Sequence, residues 1–276
     1  MKQRWLVVAI GLPLLLLVLL ACPAWATMLL VCAIAGIAAY ELLHTAGKNV
    51  PTSIYLLTVT AAAAYEVLLY YSEWTFFGAI QTVTVLRWAF LMLLFFTAVH
   101  RFGGERPFAF STLCAAVVGG IVFPAMYSCI GLLRNVSPAF VLMPFVIAFI
   151  GDSFSMLGGM AFGHKKFAPH VSPNKTWAGF LAGPVGSALG MVLLGLVSKW
   201  IWQMELPLWY LAVIGIAANL FGQLGDLSMS LIKREAGIKD YSHIFLTHGG
   251  VLDRFDSTLF LAPVVYAMLF LLEKLV

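Results

Sequence analysis

The chain has 276 residues, of which 62% are hydrophobic and 10% charged, where an ordinary soluble domain carries about a quarter charged residues. This balance excludes a soluble globular protein, and apolar runs of the roughly 20 residues needed to cross a bilayer recur from one end to the other. A net charge of +4 would point to nucleic acid only if the basic residues formed a soluble surface of their own; they cluster in short loops, the pattern of membrane topology and anionic substrates.

Hydropathy predicts an all-α, polytopic membrane protein with about nine transmembrane helices. They fall near residues 5–21, 28–43, 53–71, 75–98, 109–132, 138–156, 177–198, 208–232 and 254–272. The whole chain, 1–276, reads as one integral membrane domain. Residues 1–140 supply N-terminal spans with no assignable role, and 141–276 supply the spans and loops that carry chemistry.

The start, MKQR followed by a leucine-rich run and Ala24-Trp25-Ala26, resembles a secretory signal with a small-residue cleavage site. An uncleaved first span is favoured, because the next apolar run begins at once. With the N-terminus cytoplasmic, Lys2, Arg4, Lys48, Arg101, Arg106, Lys165, Lys166, Lys175, Lys233, Arg234, Lys239 and Arg254 lie in or beside cytoplasmic loops. Only Arg134, Lys199 and Lys274 fall on the other side, as the positive-inside rule requires.

In the first half, Glu41, Glu66 and Arg87 are the ionisable groups at membrane depth. Glu41 and Glu66 sit towards span ends and are expected to reach an interface; Arg87, nearer mid-span, is expected to pair inside the bundle. Cys22, Cys32, Cys114 and Cys129 lack zinc-site spacing and read as packing residues. The pairs Gly103-Gly104 and Gly119-Gly120 lack the context of a nucleotide-binding fingerprint.

The second half holds three polar constellations. The first runs from Gly151-Asp152-Ser153-Phe154-Ser155 through Gly158, Gly159 and Gly163 to a basic loop with His164, Lys165, Lys166 and Lys175. Asp152, Ser155 and Gly159 would share a helical face, which suits either a water-lined cavity or a helix-packing seam. Lys175, in Ser172-Pro173-Asn174-Lys175-Thr176, could grip a phosphate or merely orient the next span.

The second lies inside the eighth span, where Asn219, Gln223, Asp226, Ser230 and Lys233 recur at steps of 4, 3, 4 and 3, one continuous helical stripe. Unsatisfied polar groups in hydrocarbon are too costly to face lipid, so these should line a cavity or pair with neighbours. Asp226 would lie roughly 9 Å inside the cytoplasmic end.

The third is Asp253-Arg254-Phe255-Asp256-Ser257, preceded by Thr247-His248-Gly249-Gly250. Asp253 and Asp256 share a helical face, where two close carboxylates repel unless a cation or proton joins them. They could cap the helix, or offer the oxygen ligands that magnesium takes together with phosphates and water. Gly249 and Gly250 would let backbone approach a phosphate. The stretch from Ser230 to Asp256 gathers four cations, four carboxylates and two histidines, and Asp226, Asp253 and Asp256, with Lys233, Arg234, Lys239 and Arg254 towards one membrane surface, point to a metal and polyphosphate site.

These residues resemble the phosphatidate cytidylyltransferase (CDP-diacylglycerol synthase) family. The likeness rests on Ser230-x-x-Lys233-Arg234, Lys239-Asp240 and His248-Gly249-Gly250-x-x-Asp253-Arg254-x-Asp256, with Gly225-Asp226 and Ser172-Pro173-x-Lys175-Thr176 upstream. It covers roughly residues 145–272, and the chain departs from the family pattern at Leu246, Ala178 and Ser155-Met156.

The resemblance implies transfer from CTP to phosphatidate, giving CDP-diacylglycerol and pyrophosphate. The active site is expected at the cytoplasmic membrane surface, where soluble CTP and a lipid headgroup can meet, and a bacterial inner membrane is expected because the chain is compact and shows no evident transit peptide. The resemblance implies magnesium held by Asp226 and Asp253, with Asp256 as a further ligand or beside one. It also implies phosphate contacts from Lys175, Lys233, Arg234, Lys239 and Arg254, with Ser230 in the binding motif and His248, Gly249 and Gly250 positioning phosphate or nucleotide. Membrane enzymes of this kind often pair, so a homodimer is expected, although no particular residue argues for it. The rivals are a sister transferase or kinase acting on another membrane lipid, and an ion-coupled transporter. Against the transporter, the charges gather towards one surface and no internal repeat is visible.

Overall fold

The computed structural model describes residues 2–72, 78–104, 109–245 and 249–275. Ten α-helices carry almost all of it: α1 (Lys2–Leu16), α2 (Ala24–Ala46), α3 (Thr52–Ser72), α4 (Gly78–Arg101), α5 (Phe110–Val117), α6 (Phe123–Val136), α7 (Pro138–Phe162), α8 (Trp177–Trp202), α9 (Leu208–Glu235) and α10 (Leu252–Leu275). Leu17–Ala21 and Val118–Val122 are wider π turns, which prolong α1 and join α5 to α6. Among the described residues eight helices are long and apolar enough to cross a membrane, and Ala9–Ala21 is a shorter apolar helix. The protein is therefore an all-α, multi-pass membrane protein, as the hydropathy predicts.

The chain forms two compact units. The first comprises residues 1–131 and 235–254. Its core holds Leu43, Ile54, Phe90, Leu94 and Leu113. Gly119 and Gly120, in the π turn, let helices close up: a Cβ on Gly119 would lie 3.1 Å from the Ala39 Cα, and one on Gly120 would lie 2.7 Å from the Phe90 ring. Arg87 behaves as its depth predicts, donating to the Tyr65 hydroxyl and lying 5.0 Å from that ring's centre.

Glu41 and Glu66 do not reach an interface. They are only 1% and 5% exposed. Glu41 turns inward because hydrogen-bond donors wait for it there, as described below; Glu66 lies within electrostatic reach of the Cys32 and Cys129 thiols. Cys22, Cys32, Cys114 and Cys129 form no disulfide with one another.

The second unit comprises residues 132–234 and 255–276. Ser137 accepts from Ala139 N–H at 3.2 Å and starts α7, with Pro138 at the first helical position. Between α7 and α8, where the sequence reads as a basic loop, the chain makes an antiparallel hairpin of β1 (Lys166–Ala168) and β2 (Ser172–Thr176). Phe167 stacks on Phe180 and meets Trp177 edge-on, which clamps the hairpin to α8. Thr176 caps α8 by accepting from Gly179 N–H at 3.2 Å.

Helices α7 and α8 approach closely along Gly179, Gly183, Gly186 and Gly190, whose missing side chains make room for Ser155, Phe154 and Ile150. Gly222 and Gly225 of α9 do the same for Leu261 and Phe260 of α10. At the end of α8, exposed Lys199 of its last turn pairs at 2.8 Å with exposed Glu205 just after the helix, and that hydrogen bond, with the lysine's charge, holds the Glu205 carboxyl below its ordinary range.

Candidate functional site

The stripe predicted on the eighth span lies on α9, and its two halves do different things. Towards the helix start Asn219 and Gln223 are buried, and Gln223 Nε2 donates to Asn219 Oδ1 at 2.7 Å and to the Phe180 carbonyl at 3.1 Å. These two residues pair with neighbours. Further along, Asp226 forms an ion pair with Lys175 of β2, while Ser230 and Lys233 are buried.

Two more carboxylates join the pair. Asp152 of α7 lies within electrostatic range of Asp226 and Lys175, and Asp256 of α10 within range of Asp226, Lys233 and Asp152. Asp256 is 8% exposed, and its Oδ1 accepts from Ser257 N–H at 2.7 Å. Three helices and a hairpin thus bring three carboxylates and two cations within electrostatic range of one another, with Asp256 and Lys233 buried and Asp152 exposed. Carboxylates outnumber cations, and such an excess favours an added cation.

Asp152 separates from the small residues near it. Gly151, Ser155 and Gly159 line the seam, against Asn219 and Ser187, Gly183, and Thr176 in turn. Asp152 itself is exposed beside that seam. Both readings of this constellation therefore apply, to different residues. The Ser155 hydroxyl, at one of the positions departing from the resembled pattern, is buried with no hydrogen-bond partner.

Arg234, at the end of α9, is exposed and donates to the Val171 carbonyl of the hairpin at 3.3 Å. The remaining predicted residues belong to the first unit. Lys239 and Arg254 are exposed. Asp253, in the first turn of α10, accepts through Oδ2 from Tyr241 N–H at 2.8 Å and Gly250 N–H at 2.9 Å. Gly249 has φ +80°, a conformation glycine tolerates, and the Gly250 N–H is directed at Asp253. His248, Leu246 and Arg106 lie outside the described residues.

The sequence reading missed two features. Glu41 binds the segment before α10, and no local pattern announces it. The glycines of α8, in contrast, recur at steps of 4, 3 and 4, a small-residue spacing that is legible in principle.

Among the described residues, eight helices long and apolar enough to cross a membrane, with a partly buried cluster of carboxylates and cations, define a polytopic membrane protein with an ionic cluster in its C-terminal half. The chain belongs to the Cytidylyltransferase family, whose model matches residues 2–272. It is 33% identical over 210 residues to a phosphatidate cytidylyltransferase of Bacillus subtilis, covering 72% of each chain. It is 34% identical over 164 residues to one of Rickettsia felis, covering 57% of this chain and 71% of that one. A third, of Staphylococcus haemolyticus, is 31% identical over 210 residues, covering 76% and 77%.

Proposed function

We propose that the chain is a phosphatidate cytidylyltransferase, working where the bilayer meets soluble CTP. The observation that carries this reading is the Lys175–Asp226 ion pair, with Asp152, Asp256 and Lys233 in electrostatic range, inside a unit of apolar helices. Intramembrane charge is costly and is functional by default.

A phosphatidate phosphate oxygen attacks the α-phosphorus of CTP. The new P–O bond forms as the bond to the β-phosphate bridge breaks, and pyrophosphate leaves with the electron pair. The lipid phosphate is already ionised, so no strong general base is required. Lys175 and Lys233 would hold phosphate oxygens as charge moves to the leaving group. Arg234, Lys239 and Arg254 are proposed as further phosphate contacts, with Ser230, His248, Gly249 and Gly250 placing phosphate or nucleotide.

The donor set suits magnesium. Among the described residues no three His, Cys, Asp or Glu side chains gather to enclose a metal by themselves, so the fit is to an ion that takes one or two carboxylates and completes its shell with phosphate and water. Asp226 and Asp256 are the proposed ligands, with Asp253 added for its place one turn before Asp256 on α10. A bound magnesium ion would neutralise triphosphate charge and stabilise the departing pyrophosphate. The positive-inside pattern supports a site at the cytoplasmic face of an inner membrane.

Purified protein supplied with CTP, phosphatidate and magnesium should form CDP-lipid. Chelation should abolish product, and Asp226→Asn should lower turnover by at least about 10²-fold, the scale of losing a preorganised electrostatic group. Robust product from Asp226→Asn would sink the proposed ligand set. Wild-type protein that made no CDP-lipid from a panel of lipid phosphates, yet moved an ion across liposomes, would favour the transporter.

A further inference from the structure

Glu41 is 1% exposed near the end of α2, where a carboxylate must find donors. It finds three, all from the segment that leads into α10. Ser242 Oγ donates to Oε1 at 2.5 Å, Val251 N–H to Oε1 at 3.0 Å and Leu252 N–H to Oε2 at 2.8 Å. The two amides are orphan donors at a helix N-terminus, where the helix dipole also favours negative charge.

Asp253, the acidic residue of that first turn, is thereby spared the capping role. Its Oδ2 reaches back to Tyr241 and Gly250 instead. Two carboxylates therefore clasp one segment, Glu41 from α2 and Asp253 from within. The glycine pair fits between them: a Cβ on Gly250 would lie 2.7 Å from both the Glu41 carboxyl carbon and Ser242 Oγ, and one on Gly249 would lie 2.6 Å from Asp253 Oδ2.

We propose that Glu41 is a positioning residue for the reaction, fixing the Gly249–Asp253 turn so that Asp253 meets its ligand in one orientation. This rests on the cytidylyltransferase reading and gives the N-terminal spans a task in it: α2 supplies the carboxylate against which the turn is built. A glutamine at this position would keep the shape but set an amide NH2 against a backbone N–H, turning one of the three accepted bonds into a repulsion.

The test uses full-length protein in lipid micelles and two readouts, kinetics and amide hydrogen exchange. Glu41→Gln is expected to lower kcat at least tenfold, with KM for CTP and for phosphatidate changed less than about threefold. Exchange over residues 241–245 and 249–252 should rise at least tenfold while exchange over 177–202 stays as in wild type. Ser242→Ala, which removes one donor and leaves both backbone bonds, should move both readouts the same way by a smaller factor; it decides the matter if Glu41→Gln fails to fold.

Unchanged kcat in a folded Glu41→Gln, or a fall in kcat with no change in local exchange, would overturn the proposal. If wild-type protein forms no CDP-lipid, the enzymatic reading fails, and the exchange readout still decides whether Glu41 holds the turn.

Discussion

Lys175 is the cation that ties the hairpin to α9, and its removal leaves Asp226 facing Asp152 and Asp256 with one charge fewer to balance them. Lys175→Ala should therefore lower kcat/KM for CTP by about 10²–10³-fold and also lower the melting temperature, since an abandoned partner costs more than the pair was worth. Adding Asp226→Asn should recover melting temperature without recovering turnover, a non-additivity expected of contacting residues. Recovery of turnover as well would mean that neither side chain serves the reaction. Asp226 was legible because the stripe from Asn219 to Lys233 repeats at helical steps. Glu41 was not, because its partners lie 201 to 211 positions further along the chain, and no periodicity encodes a contact that distant.

Helices were read from apolar length, and among the described residues eight of the nine predicted spans fall on helices long and apolar enough to cross a membrane, the first on the shorter apolar helix Ala9–Ala21; what hydropathy does not carry is which faces meet. The hairpin between α7 and α8 was missed as strand because three- and five-residue strands are too short for alternation to show. In the α7–α8–α9 packing, glycine decides how close the helices come. A Cβ on Gly183 would lie 2.8 Å from Asn219 Oδ1 and 3.0 Å from Gln223 Nε2. Gly183→Ala should therefore cost about 1–3 kcal/mol, as overpacking does, and break the Gln223 hydrogen bonds that steady α9 just before Asp226. Gly131, with nothing within 4 Å of its Cβ position, provides the control: Gly131→Ala should leave thermal unfolding in detergent unchanged. Equal melting temperatures for the two variants would refute the packing argument.

At the scale of the whole molecule the open quantity is sidedness, and charge supplies the argument. The segment between α7 and α8 carries exposed His164, Lys165, Lys166 and His170, whereas the far end of α8 carries Lys199, in its last turn, balanced by Glu205 of the connection that follows. Because α8 separates these two segments, they must face opposite sides of the membrane if α8 crosses it. On the positive-inside rule the hairpin, and with it Lys175, is expected on the cytoplasmic side, which labelling tests. In a background with all four cysteines replaced, Lys166→Cys should react with an impermeant thiol reagent only in inside-out vesicles, and Glu205→Cys only in right-side-out ones. Both substituted positions are exposed, so failure to label could not be blamed on burial. Labelling of Lys166→Cys from outside would put the basic hairpin on the far side from cytoplasmic CTP, and the reaction proposed here would then lack access to its nucleotide.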